Sequence, residues 1–79
     1  MEISEIKRVI TEEIKNGREV ALPSDFETKS FNDLDIDSLS TIELIVTCMK
    51  KTNIKISRDQ YRNIKNAQDL ANFLFKSQA

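Results

Sequence analysis

The sequence predicts an all-α domain: a four-helix bundle of three main helices and one short one, with a long loop between the first and second. Three observations carry this. Apolar residues recur at three- and four-residue steps near both ends of the chain. The alternating pair Ile54 and Ile56 is too short to support a sheet. A chain of 79 residues with one glycine and one proline is suited to one small core, so residues 1–79 are expected to form a single domain.

In the first helix, Ile3, Ile6, Val9, Ile10 and Ile14 make one stripe. Lys15 suits the negative end of its dipole, and Gly17 can take the left-handed conformation that closes a helix. Residues 17–37, "GREVALPSDFETKSFNDLDID", sustain no period of 3.6 or 2 and read as a loop. A loop of about 20 residues is uncommon in a compact domain and usually signals function. Val20, Leu22, Phe26, Phe31, Leu34 and Ile36 are expected to pin it to the core.

The second helix covers residues 38–51, with Ser38 or Asp37 at its N-cap. Ser57 followed by Gln60 fits a capping box for the short third helix. Asn66 can cap the fourth, whose apolar face is Leu70, Phe73 and Leu74, with Ala67 as a further candidate. Phe26, Phe31, Phe73 and Phe75 are all assigned to the core or its edge.

Composition narrows the function. The chain has no histidine, which excludes Ser-His and Cys-His nucleophile pairs and any plausible zinc site. An enzyme is therefore the least expected class, and no metal is expected. The single cysteine, Cys48, cannot form an internal disulfide and reads as a small buried hydrophobe.

No stretch approaches the roughly 20 apolar residues of a membrane span, and "MEISEIKRVI" lacks the regions of a signal peptide. A cytoplasmic monomer without membrane association is expected. Residues 1–37 carry five basic and ten acidic side chains, residues 38–79 seven and three. The basic run Lys50, Lys51, Lys55, Arg58 and Arg62 has only Tyr61 interleaved, a poor basis for nucleic-acid binding.

The second helix is too apolar for one core face. At about 100° per residue, Leu44, Cys48, Ile45, Met49, Ile42, Val46 and Leu39 fill more than half the wheel, where a core stripe needs little more than about 100°. Leu44, Ile45 and Cys48 are assigned inward, and Leu39, Val46 and part of Met49 outward. Two explanations fit: a helix in the middle of the bundle, covered on both sides, or a docking stripe with Glu43 and Lys50 at its rim. Ser38 is similarly open. It is either a simple cap or an attachment point, because the free N–H groups and positive dipole end of a helix favour a phosphate there. No base in the chain could activate it, so an external transferase would be required.

The stretches "SFNDLDIDSLSTIEL" and "IKISRDQYRNIKNAQDLANFL" resemble acyl carrier proteins, the four-helix carriers of fatty-acid and polyketide synthesis. The placement of Asp37-Ser38-Leu39, after a long loop and opening an apolar helix, carries the resemblance. It implies that a phosphopantetheinyl transferase esterifies Ser38 with 4'-phosphopantetheine from coenzyme A, whose thiol then holds acyl groups as thioesters. It also implies that Asp37 and Leu39 are read by the transferase. Ile42, Glu43, Val46 and Met49 would face partners, namely an acyl- or aminoacyl-loading enzyme and a ketosynthase or other processing enzymes, with Asp35, Lys50, Ile56 and Arg58 further recognition candidates.

Two departures from the family pattern stand out. Asp35 occupies a position where carriers commonly have glycine, and Asp tolerates left-handed geometry better than most replacements. The acidic surface along the second and third helices is largely replaced by the basic run. Partners with basic docking patches should be repelled near Lys50 and Arg58, which implies a dedicated carrier in a specialised pathway. An aminoacyl or peptidyl carrier of nonribosomal synthesis is the nearest rival, although Glu43 favours an acyl carrier. A helical interaction module with unmodified Ser38 is the other. A core lined by Ile6, Ile10, Ile45 and Phe73 could open for a short acyl chain.

Overall fold

The computed structural model describes residues 1–16 and 21–78. Among them are three α-helices, α1 (Ile3–Lys15), α2 (Ser38–Thr52) and α3 (Ala67–Ser77), and two 3₁₀ helices, Asn32–Leu34 and Arg58–Asn63. The described residues contain no strand, only an isolated bridge between Ser30 and Asn66. The predicted cap Gly17 and the loop anchor Val20 lie outside the described residues.

α1 forms because its isoleucines repeat every four residues: Ile6, Ile10 and Ile14 are buried on one stripe, with Ile3 and Val9 half-buried beside it. α1 packs against both α2 and α3, so it is the shared neighbour in the bundle. This bears on the over-wide apolar arc of α2. The central position belongs to α1, and α2 lies to one side with Leu39 and Ile42 exposed.

The inward side of α2 carries Ile45 and Cys48, both fully buried, with Leu44 half-buried. On α3, Ala67, Leu70, Ala71 and Leu74 are buried at helical spacing and Phe73 is half-buried. Phe75 departs from the expectation and is 43% exposed. It lies one residue past Leu74, about 100° around the helix from the buried stripe. Two hydrogen bonds bring the chain ends together: the Met1 ammonium donates to Gln78 Oε1 (3.0 Å) and Gln78 Nε2 to the Met1 carbonyl (2.9 Å).

The helix ends are individually specified. The Asn66 side chain accepts the Asp69 N–H (2.7 Å) while the Asp69 carboxylate accepts the Lys65 N–H (3.0 Å), a reciprocal cap that opens α3. The capping box expected at Ser57 and Gln60 is not formed. The Gln60 N–H instead donates to the Ser57 carbonyl (3.0 Å), and the segment winds as a 3₁₀ helix with no residue fully buried. Without a buried stripe, nothing outweighs the tighter i to i+3 bonding of a short turn.

The connection from α1 to α2 is pinned as expected where it is described. Phe31 and Leu34 are buried, and Leu22, Phe26 and Ile36 pack partly against the core. Its backbone is also tied to the first turn of α3, through the Gln68 N–H to the Glu27 carbonyl (3.0 Å), and to the segment just before that helix, through the Phe31 N–H to the Lys65 carbonyl (2.9 Å).

Asp35 then adopts φ 61°, ψ 30°, and this left-handed residue lets the Ile36 N–H return to the Phe31 carbonyl (2.9 Å). The turn aims the chain into α2. Asp35→Val should cost about 1–2 kcal/mol, the penalty of left-handed geometry for a bulky residue, and Asp35→Gly should retain stability. Urea midpoints for the two variants check this, and equal midpoints would show that the turn relaxes.

Candidate functional site

The turn at Asp35 delivers Asp37 and Ser38 to the start of α2. Asp37 is the N-cap. Its carboxylate accepts the Ser40 N–H (2.8 Å), and its carbonyl accepts both the Thr41 N–H and the Thr41 hydroxyl (2.8 Å each). The Ser40 N–H bond holds the Asp37 carboxyl below its ordinary pKa, so the cap stays ionised at neutral pH. Of the two cap candidates, Asp37 takes the role. Ser38 is the first helical residue, exposed, and its hydroxyl is engaged in none of the described side-chain hydrogen bonds.

Around Ser38 the surface is apolar on one side and grooved on the other. Leu39 is 67% exposed and Ile42 43%, neighbours on the first two turns of α2, and Val46 continues the stripe half-buried, so the apolar surface here is contiguous and not scattered. Glu43 and Lys50 are exposed along the same helix. On the other side a groove of about 540 Å³ runs between the first turns of α2 and the 3₁₀ helix Arg58–Asn63. Ser38, Thr41 and Ile42 line one wall, with Arg58, Tyr61 and Arg62 on the other.

The structure separates the remaining predicted recognition residues. Arg58 is exposed at the groove, and Asp35 is exposed in the turn. Met49 is held internally, its sulfur accepting the Ile56 N–H (3.1 Å) and facing the Tyr61 hydroxyl (3.8 Å). Ile56, expected on the recognition surface, is instead buried, 5% exposed, in the core cluster. In the short connection after α2, both Ile54 and Ile56 turn inward, and Ile56 meets the surface only as part of a 350 Å³ groove beside Val46 and Lys50.

The basic run is also divided. Lys51 points back to α1 and pairs with Glu13, which raises the lysine's pKa. Lys50, Lys55, Arg58 and Arg62 remain exposed. Lys65, which sequence reading left unassigned, lines the Ser38 groove because the Phe31 N–H bonds its carbonyl across the fold. That pairing has no local sequence signal.

Cys48 is not part of this surface. Burial pushes its thiol up to about 12, with Glu13 adding to the effect and Lys51 opposing it. Below pH 9 the thiol is protonated in folded and unfolded chains alike. As pH rises from about 9 towards 12, the unfolded chain releases a proton that the folded chain retains, so stability should fall. Loss of the raised Lys51 proton acts in the same direction above its ordinary value of 10.5. Urea midpoints between pH 8 and pH 11 should decline, and a Cys48→Ala variant should flatten the first part of that decline. A decline unchanged in the variant would remove the thiol as its cause.

No helix among the described residues is long and apolar enough to cross a membrane. The model of the phosphopantetheine attachment site family matches residues 5–74. The acyl carrier protein of Thermobifida fusca is 45% identical over 49 residues, 61% of this chain and 62% of that protein, so this match spans less than two thirds of the relative. The acyl carrier protein of Brachyspira hyodysenteriae is 34% identical over 73 residues, 91% of this chain and 90% of that protein.

In fold, the chain is similar to the acetyl actinorhodin acyl carrier protein from Streptomyces coelicolor, known from a solution structure. The TM-score is 0.70 at 18% identity, over 98% of this chain and 90% of that one. An exposed serine hydroxyl at a helix N-terminus, beside an open groove, is chemically suited to a phosphodiester-linked arm. By its matched residues and its fold, the chain belongs to the acyl carrier protein family, whose members bear a covalently attached phosphopantetheine.

Proposed function

We propose that Ser38 carries the 4'-phosphopantetheine arm and that the chain presents acyl intermediates to partner enzymes. The observation that supports this most directly is the division of labour at the start of α2. Asp37 supplies the cap, which leaves the Ser38 hydroxyl exposed at the positive end of the helix. When bound, the arm supplies a terminal thiol that holds acyl groups as thioesters. The chain has no histidine to activate Ser38, so the transferase brings the base. Leu39 and Ile42 offer an apolar seat for partners, and tethering raises the local concentration of cargo at each docked enzyme. The protein is thus a carrier and not itself a catalyst. Incubation with coenzyme A and a promiscuous phosphopantetheinyl transferase should add the mass of one arm. An unchanged intact mass would remove the proposal.

The pathway is read from charge. Lys50, Lys55, Arg58 and Arg62 are exposed along the face that partners would meet, so enzymes with basic docking patches are disfavoured. We assign the chain to a dedicated pathway with its own ketosynthase or loading enzyme. The holo chain should be a poor substrate for generic fatty-acid synthase enzymes. Turnover equal to that of a housekeeping acyl carrier would sink the assignment.

A further inference from the structure

The far end of α2 holds a methionine whose contacts the carrier reading does not use. Met49 is half-buried, and its sulfur is held between two donors, the Ile56 N–H at 3.1 Å and the Tyr61 hydroxyl at 3.8 Å. Among the described residues the Ile56 N–H has no other acceptor. The sulfur therefore joins α2 both to the connection that follows it and to the 3₁₀ helix Arg58–Asn63. It is not sealed in. Met49 lines the 350 Å³ groove with Val46, Lys50 and Ile54, a space many times the ~30 Å³ that one water occupies in the liquid.

We propose that Met49 is a site of reversible oxidation by a small peroxide, and that the Tyr61 hydroxyl takes its sulfoxide oxygen. In this reaction a sulfur lone pair attacks one peroxide oxygen and the O–O bond breaks. The other oxygen leaves with the electrons of that bond and takes the proton of the transferred OH, so sulfur is oxidised by two electrons and the peroxide is reduced to water. A thioether has two lone pairs, so two sulfoxide epimers can form, and here the two sides are unequal. The Ile56 side, at 3.1 Å, has no room for an inserted atom. On the Tyr61 side, the 3.8 Å separation accommodates an S–O bond followed by a bent O–H···O bond of about 2.7 Å. Oxidation thus replaces a weak thioether acceptor with a strong one. Cys48, one residue away, does not compete, because it is fully buried and burial keeps its thiol protonated.

The test treats the full chain, with Ser38 unmodified, with hydrogen peroxide and locates the added oxygen by tryptic mapping. Met1, 48% exposed and the only other methionine, is the internal standard. Met49 should gain one oxygen with one epimer in about fivefold excess, the ratio that one ordinary hydrogen bond supports, while Met1 gives near-equal epimers. The two classes of methionine sulfoxide reductase each accept one epimer. One class alone should therefore restore most of the Met49 peptide, and both should be needed for Met1. In Tyr61→Phe, which keeps the ring, the excess should disappear, and oxidation should lower the urea midpoint further than in the parent.

Met49 left unoxidised when Met1 is fully converted overturns the proposal. So do equal epimers at Met49, or an excess that Tyr61→Phe leaves unchanged. Met49→Leu, which conserves volume, should take up oxygen at Met1 alone, and a gain that persists in its residue 30–50 peptide would move the oxidation to Cys48 and overturn the assignment. None of these results depends on attachment at Ser38, so the carrier reading stands or falls separately.

Discussion

Ser38→Ala abolishes loading: after incubation with coenzyme A and transferase, the variant keeps its apo mass while the parent gains one arm. The effect should be all-or-none, because no other hydroxyl combines exposure, the first position of α2 and an apolar neighbour as exposed as Leu39. Ser40 bonds Asp37 through its side chain as well as its N–H, and Thr41 commits its hydroxyl to the Asp37 carbonyl. The variant should also fold like the parent. An exposed side chain outside the described hydrogen bonds changes stability by less than about 0.5 kcal/mol, so an unchanged urea midpoint accompanies the lost mass gain. Asp37→Ala makes the contrast, since it removes the cap and lowers the midpoint while leaving the hydroxyl in place. A mass gain that survives Ser38→Ala would move the attachment elsewhere.

Ile45→Ala has the largest expected effect on the fold. Ile45 is fully buried on the inward side of α2, and truncating such an isoleucine costs about 2–5 kcal/mol from lost transfer energy and the cavity left behind. A domain of this size holds roughly 4–12 kcal/mol in total, so the loss takes a large share of it and can leave the chain partly unfolded at 37 °C. Ile42→Ala, one turn away in the exposed stripe, should cost less than about 1 kcal/mol. Urea titration of the pair measures whether α2 is divided into a structural and a presenting side. Equal losses would place Ile42 in the core.

Much of this arrangement was legible because it is local. The four-residue spacing of Ile6, Ile10 and Ile14, the Asn66 cap and the left-handed position at Asp35 each follow from residues within a turn of one another. The surplus of apolar residues on α2 was also visible, and the wheel placed Ile45 and Cys48 inside and Leu39 outside as found, while Leu44 and Val46, assigned to opposite sides, are both half-buried; the exposure of Ile42 was expected from the resemblance and not from the wheel.

What could not be read depends on distant pairing. Lys51 looked like part of a basic surface until Glu13, far away in sequence, took it. Lys65 reached the Ser38 groove through a backbone bond to Phe31. The failed capping box at Ser57 is a different kind of miss, since the residue types fit an α-helical start and the short segment wound as 3₁₀. Ile56 misled because resemblance assigned it a surface role while packing required it inside.

The place of α1 as the shared neighbour of α2 and α3 sets how the domain closes on itself. A large part of what covers its isoleucine stripe, Leu70, Ala71 and Leu74, lies on α3, far away in sequence. Joining the two helices closes a loop that holds nearly all of the intervening residues, so this contact carries the greatest entropy cost in assembling the bundle. The pairing of α1 with α3 is therefore the step that sets the pace of folding, and a substitution that weakens it should slow folding more than one confined to α2.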